Sequence, residues 1–277
     1  MDLAALRESF SGVFGSWLVT DPVSRLGLSS FLFALYYTIV NIYWLRKARG
    51  DGAMPKIRRI AGLDAIDEAV GRATEMGRPV LYTTGVEALT PPTFASLTVL
   101  SYVSRSTVKY DTRMIVCMPQ VILLPLCENI VRQAYVEAGK PDAFRANDIR
   151  FLTSDQLGFA TGVVGTLLRE QAASSLMFGN YTGEALIYCE AGFIAGAIQI
   201  AGTASNAQLP FFIATCDYTL IGEELYAASA YLGKDRVRTA TLVAQDWGKA
   251  VLVGLMVLGM IFHTFGSTLI RDLMALY

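Results

Sequence analysis

Four short stretches gather hydroxyl, amide, thiol or carboxylate side chains, two of them together with glycine: Thr83-Thr84-Gly85, Thr153-Ser154-Asp155, Gly179-Asn180-Tyr181-Thr182-Gly183-Glu184 and Cys216-Asp217. Small residues that let backbone N–H groups converge at a helix N-terminus favour an anion. The chemistry implied is therefore capture of a nucleotide or another small anionic ligand. The candidate ligand-binding residues are Thr83, Thr84, Gly85, Asp155, Gly179, Asn180, Thr182, Gly183, Glu184 and Asp217. The longest stretch is neither G-x-G-x-x-G nor G-x-x-x-x-G-K-[ST]. It reads equally as a tight turn with Thr182 as N-cap and Glu184 in the first helical turn. Asp155 and Asp217 each follow an apolar run and precede a helical pattern. Two such carboxylates could exchange protons with a substrate if their strand ends were neighbours, and helix capping explains each of them separately.

Other chemistry is excluded by composition. The one histidine, His263, lies in an apolar run near the C-terminus. The globular part therefore lacks a Ser-His-Asp or Cys-His mechanism, and no G-x-S-x-G, H-E-x-x-H or kinase set occurs. Cys117, Cys127, Cys189 and Cys216 have no C-x-x-C spacing. They read as free buried thiols in a reducing compartment rather than a disulfide framework or a zinc site. No catalytic residue, metal or cofactor is expected beyond an unknown small anion. A formal net charge of -1 offers no field for nucleic acid.

The elements that must position these residues read as α/β. Ala61–Met76 has Leu63, Ile66, Val70 and Ala73 on one face of a helix, with Gly77 as its stop. Apolar runs follow at Pro79–Tyr82, Arg113–Met118, Ile149–Thr153, Ser175–Phe178 and Pro210–Cys216, separated by helical patterns. Continuous apolar strands suit a parallel sheet covered on both faces. The expected fold is a Rossmann-like or flavodoxin-like parallel sheet of about five strands, flanked by an N-terminal and a C-terminal transmembrane helix. In such sheets ligands bind outside the carboxyl ends of the strands, where the candidate residues fall. Met114–Leu126 and Gly183–Gly202 are apolar enough to suggest further spans. Two prolines in the first, and Glu184, Glu190 and Gln199 in the second, make buried core helices the better reading. Glu190 then needs an ionic partner, a subunit interface or a raised pKa. Gly192 and Gly196 share a face with Ala195 and permit close helix approach or helix-on-sheet packing.

The ends are membrane-like. The chain is 53% hydrophobic and 17% charged, against about 25% charged in a typical soluble domain. Leu26–Leu45 and Val251–Ile270 are each 20 residues without a Lys, Arg, Asp or Glu, the length needed to cross the hydrocarbon core. Arg46, Lys47, Arg49, Lys56, Arg58 and Arg59 follow the first; Lys234, Arg236, Arg238 and Lys249 precede the second. The positive-inside rule puts both termini outside and the domain in the cytoplasm of a two-pass inner-membrane protein. The expected plan is a retained leader over 1–25, a span over 26–45, a basic linker over 46–60 and the domain over 61–233. A connecting helix over 234–250, the second span over 251–270 and a tail over 271–277 complete it. His263, inside the second span, suggests a helix–helix hydrogen bond or a proton relay.

The runs Gly62-Leu63-Asp64-Ala65-Ile66-Asp67-Glu68-Ala69 and Arg72-Ala73-Thr74-Glu75-Met76-Gly77-Arg78-Pro79-Val80, with Phe151-Leu152-Thr153-Ser154-Asp155-Gln156 and Gly179-Asn180-Tyr181-Thr182-Gly183-Glu184, resemble a family of prokaryotic membrane proteins of unknown function. The resemblance covers the cytosolic domain and carries no activity to transfer. The functional expectation is a non-enzymatic assembly or scaffold subunit, with lipid bilayer and homo-oligomer or membrane-complex subunits as partners. The alternatives are a sensor of a nucleotide or other small anion, and a histidine-free enzyme using Asp155 and Asp217.

Overall fold

The computed structural model describes residues 22–50, 59–233 and 236–264. Most of the expected leader, part of the basic linker and the tail after residue 264 lie outside the described residues. The chain divides into two compact units, one made of the segments before residue 57 and from residue 236 onward, the other of residues 57–235.

The second unit is a six-stranded parallel sheet with helices on both faces. In chain order it contains α2 (Ala61–Met76), β1 (Val80–Thr83), α3 (Pro91–Lys109), β2 (Met114–Met118), α4 (Leu123–Glu137), β3 (Ile149–Phe151) and α5 (Gln156–Arg169). These are followed by β4 (Ser174–Phe178), α6 (Ala185–Ala195), β5 (Ile198–Thr203), α7 (Leu209–Thr215), β6 (Tyr218–Ile221) and α8 (Glu223–Gly233). The strand order is β3-β2-β1-β4-β5-β6, and every neighbouring pair is parallel. This doubly wound order reverses between β1 and β4.

Side chains alternate along each strand as the pleat requires. Val80, Tyr82, Met114, Val116, Met118, Leu176 and Phe178 point to one face, where α2, α3, α4 and α8 supply Leu63, Ile66, Val70, Val99, Leu100, Leu123 and Leu225. Leu81, Ile115, Cys117, Met177 and Ala201 point to the other, against Phe159, Val163 and Leu167 of α5, Tyr188 of α6 and Phe212 of α7. Each fully buried Leu, Ile, Val or Phe stabilises by about 1.5–3 kcal/mol, so both helix layers are held by the same sheet. Helix α2 ends as its pattern predicts: Gly77 is left-handed at φ 63°, and the N–H groups of Gly77 and Arg78 bond the carbonyls of Thr74 and Ala73.

Two expectations are corrected. The apolar 20-mer Gly183–Gly202 is not one helix: it stops at Gly196, left-handed at φ 66°, and continues as β5. The run Pro210–Cys216 is not a strand. It falls in the short helix α7, with its proline in the first turn, where a missing N–H costs nothing. The sheet therefore has six strands, the sixth being Tyr218–Ile221. The other apolar segment, Met114–Leu126, is β2, its exit loop and the first turn of α4.

An ion network ties the amino ends of β2 and β3 to the end of α5. Arg113 donates to Asp148 (2.6 Å) and Glu170 (2.8 Å), and Arg150 donates to Glu170 (2.8 Å). The edge strand β3 has only three residues, and these bonds add to its parallel pairing with β2.

The first unit is an antiparallel helical pair, α1 (Pro22–Arg49) and α9 (Arg236–Thr264). Arg236 donates to the Gly50 carbonyl (2.6 Å), and the Tyr36 hydroxyl donates to the Trp247 carbonyl (3.4 Å). Among the described residues one helix is long and apolar enough to cross a membrane, Thr239–Ile261 within α9, and little of it is buried. The run Leu26–Leu45 lies in α1, but the side chains of residues 22–32 lie outside the described residues, as does that of His263.

Glu170 is held below its ordinary pKa by the hydrogen bond from Arg150, with Arg113 adding to it. Its stabilisation is present above the unfolded carboxylate value of about 4.3 and is lost as pH falls through the lower folded value. Glu170→Gln should lower stability by about 1 kcal/mol near pH 7. In parallel denaturant titrations the gap from wild type should shrink towards pH 3; a gap independent of pH would remove the ionic explanation.

Candidate functional site

Topology makes the exits of β1 and β4 the natural site. The chain leaves β1 towards one face of the sheet and β4 towards the other, so a crevice between the two exit loops is where an open α/β sheet receives a ligand. Here the crevice is closed. Gly85 has φ 79° and Gly179 has φ 141°. A Cβ on Gly179 would lie 2.3 Å from the Thr84 carbonyl oxygen, and one on Gly85 would lie 2.6 Å from the Asn180 carbonyl oxygen. The loops thus meet backbone to backbone, which only glycine permits. Val86 N–H donates to the Asn180 carbonyl (2.9 Å), the Asn180 amide donates to Glu87, and the Thr83 and Tyr181 hydroxyls share a bond of 2.8 Å.

Glu184 fills the position where an anion would sit. It is 1% exposed. Its carboxylate accepts from Gly183 N–H (2.8 Å), Thr182 N–H (3.3 Å), the Thr182 hydroxyl (3.3 Å) and the Gln156 amide (2.6 Å). The backbone donors expected to read an anion are therefore already used by a side chain of the protein itself. Thr182 is not the N-cap; that position belongs to Glu184 itself. From α7, the Gln208 amide donates to the Thr182 carbonyl (2.8 Å). Gln156, the last residue of one resembling run, and Gln208, in none, were not candidate site residues and complete the loop only through tertiary packing. Burial pushes the Tyr181 and Tyr188 phenols well above their ordinary pKa, so neither is a base at neutral pH. The Thr84 hydroxyl, the Tyr188 hydroxyl and the Gln208 side-chain oxygen are buried without a hydrogen-bond partner.

The two aspartates are not brought together. Asp155 is the N-cap of α5 and accepts from Gly158 N–H (2.6 Å). Asp217 precedes β6 rather than following a strand, and accepts from Gln199 N–H (2.8 Å) near the start of β5. One lies at the carboxyl end of the sheet and the other at the amino end. Their strands, β3 and β6, are the two outermost, about 24 Å apart at 4.8 Å per strand spacing. A shared acid/base step is therefore absent from this geometry.

The remaining candidates resolve as packing. Gly192 lies over Gln199, whose side chain a Cβ would meet at 2.4 Å; Gly196 has nothing within 4 Å and serves the left-handed helix stop. Glu190 is exposed rather than buried. Among the described residues no group of three or more His, Cys, Asp or Glu could hold a metal ion. A groove of about 400 Å³ lined by Ile39, Ile42, Tyr43, Arg46 and Lys47 is formed by α1 alone. All four cysteines are free. Burial pushes the Cys117 and Cys127 thiols up to about 12. Cys189 and Cys216 differ, with sulfurs 3.6 Å apart; the S–H bond between them lowers the pKa of Cys189 and raises that of Cys216.

The chain belongs to a family described as a domain of unknown function (DUF6754), which matches residues 22–274. The match runs through both compact units. No curated protein and no solved structure shows a significant match to it.

Gly179→Ala should cost on the order of 3 kcal/mol or more in denaturant unfolding, from strain plus overlap with Thr84. Gly196→Ala, with a left-handed backbone and free space, should cost about 1 kcal/mol. Equal losses would show that the β1 and β4 loops do not touch. Mild treatment with diamide should convert Cys189 and Cys216 to a disulfide, with loss of two hydrogens in peptide mass spectra. Cys117 and Cys127 should remain reduced; labelling of all four thiols after oxidation would refute the pairing.

Proposed function

We propose that this chain is a two-pass, membrane-anchored assembly or scaffold subunit whose Rossmann-like cytoplasmic domain performs no chemistry of its own. The observation that carries the reading is the occupied switch point. Glu184 supplies the hydrogen-bond acceptor internally, and the Gly85–Gly179 contact leaves no crevice. A nucleotide or other small anion would have to expel a satisfied carboxylate and separate two packed loops, at a cost of several kcal/mol. The sensor reading therefore has less support than the scaffold reading.

The two-pass reading draws on charge placement. Because α1 and α9 run antiparallel, Arg46, Lys47 and Arg49 at the end of α1 share one end of the pair with Arg236. The positive-inside rule assigns that end, and the domain inserted between the helices, to the cytoplasm. Within the domain the two chain ends leave side by side: the Tyr231 hydroxyl of α8 donates to Asp64 of α2 (2.7 Å), and Arg59 pairs with the same carboxylate. An insertion between two adjacent helices requires such an arrangement.

Native mass spectrometry of the protein extracted gently from its own membrane tests the reading. A defined multimer with no added small mass is expected. A monomer carrying a bound small anion would overturn it in favour of a sensor. Single cysteines placed near residues 5 and 275 should be labelled from outside intact cells by a membrane-impermeant maleimide; protection of both would reverse the topology.

A further inference from the structure

Helix α6 is apolar on two faces. Its inward face, including Tyr188, Cys189 and Gly192, is buried against the sheet. Its outward residues are Leu186, Ile187, Glu190, Phe193 and Ile194, all exposed. Their spacing of i, i+1, i+4, i+7 and i+8 makes one continuous stripe along the helix. Phe193 is 83% exposed and Ile194 66%. Solvent-facing helix positions normally carry charge, and contiguous apolar surface of this kind marks an interaction site. Glu190 is the single charge in the stripe and makes no ion pair among the described residues. The sequence from Glu170 to Gly233 contains no Lys or Arg, so no cation of its own or the adjoining elements sits in the stripe.

A second outward face lies on α4. Ile122 at its N-cap, Leu126, Arg132 and Val136 are exposed at i, i+4, i+10 and i+14, with the polar Asn129 and Gln133 exposed among them. Arg132 sits 5.0 Å above the Phe144 ring and has no carboxylate partner among the described residues. Leu126 and Val136 flank one cation along α4, as Leu186, Ile187, Phe193 and Ile194 flank one anion on α6. We infer that the outward stripe of α6 packs against the outward stripe of α4 on a second copy of this chain, with Glu190 meeting Arg132 between apolar anchors.

The inference rests on the scaffold reading and names its partner. Helices α6 and α4 cover opposite faces of the sheet, so the contact is heterologous and propagates into a ring or a row rather than closing a two-fold dimer. Pairing α6 with α6 would set Glu190 against Glu190, which opposes the symmetric alternative.

The full-length protein in mild detergent, followed by mass photometry across a dilution series, tests it. Glu190→Arg and Arg132→Glu should each weaken self-association at least about tenfold, and the double charge reversal should return it to within about threefold of wild type. Phe193→Ser, at an exposed position, should leave the unfolding midpoint unchanged and weaken association about tenfold or more. A wild-type multimer unaffected by any single change would overturn this contact and leave the scaffold reading standing. A wild-type monomer would sink both. Single changes that weaken association without rescue by the double would remove α4 as the counterpart. Unchanged association with lost binding to phosphatidylcholine vesicles would assign the stripe to lipid and overturn the inference.

Discussion

The close approach of two backbones, at Gly85 and Gly179, is the constraint on which the carboxyl end of the domain depends. Neighbouring parallel strands leave the sheet about 4.8 Å apart, and their exit loops either diverge and open a crevice or converge and close it. Two glycines with positive φ allow convergence here. Once the loops meet, Val86 N–H and the Asn180 amide find partners across the junction, and Tyr181 is drawn beneath it to bond Thr83. Gly183 and Thr182 are then turned so that their N–H groups point inward. A buried donor left unpaired costs about 1–3 kcal/mol, and Glu184 supplies the acceptor. The loop that most resembles an anion site is in this way a closed polar knot.

The two ends of the sheet are stabilised by different physics. At the amino end, Arg113, Arg150, Asp148 and Glu170 form a half-buried ion network that holds a three-residue edge strand. At the carboxyl end, buried polar groups bond one another within the loops, the Thr84 hydroxyl and the Gln208 side-chain oxygen excepted, and exposed apolar residues such as Val121 and Leu157 rim the surface. The helix layers are also unequal. Helix α6 shows apolar side chains to both the sheet and the solvent, so its outward face makes no contribution to folding the single chain.

The helical unit has its own logic. Antiparallel α1 and α9 bring their cationic ends together, and Arg236 meets a carbonyl of Gly50 at the α1 terminus, where the helix dipole favours positive charge. In the α/β unit, Asp64 collects both Arg59 and Tyr231 and so joins the first helix to the last. A domain inserted into a helical hairpin needs neighbouring ends, and one carboxylate provides that closure.

Much of the architecture was legible in the residues alone. β1, β2 and β4 were visible because a strand buried on both faces is mostly apolar, the short edge strand β3 was visible from Ile149 and Phe151 despite Arg150 between them, and Gly77 marked the end of α2 because only a left-handed residue closes that turn cheaply. The apolar, uncharged stretch within α9 follows from composition in the same way. Tertiary structure decided the rest. Ile198–Thr203 and Leu209–Thr215 are apolar runs of similar length, and local pattern does not separate a strand from a short helix. Pairing of the first with β4 and β6 does, and with it Asp217 moved to the opposite end from Asp155. Glu184 is the sharpest case: the sequence by itself determined that a carboxylate lies in a glycine-rich turn, but not whether it points to solvent or inward. Inward burial against Gln156, Thr182 and Gly183 depends on residues far apart in the chain meeting at the sheet's reversal. Hydrogen-bond satisfaction at such a meeting is a property of three-dimensional packing, to which local sequence is blind.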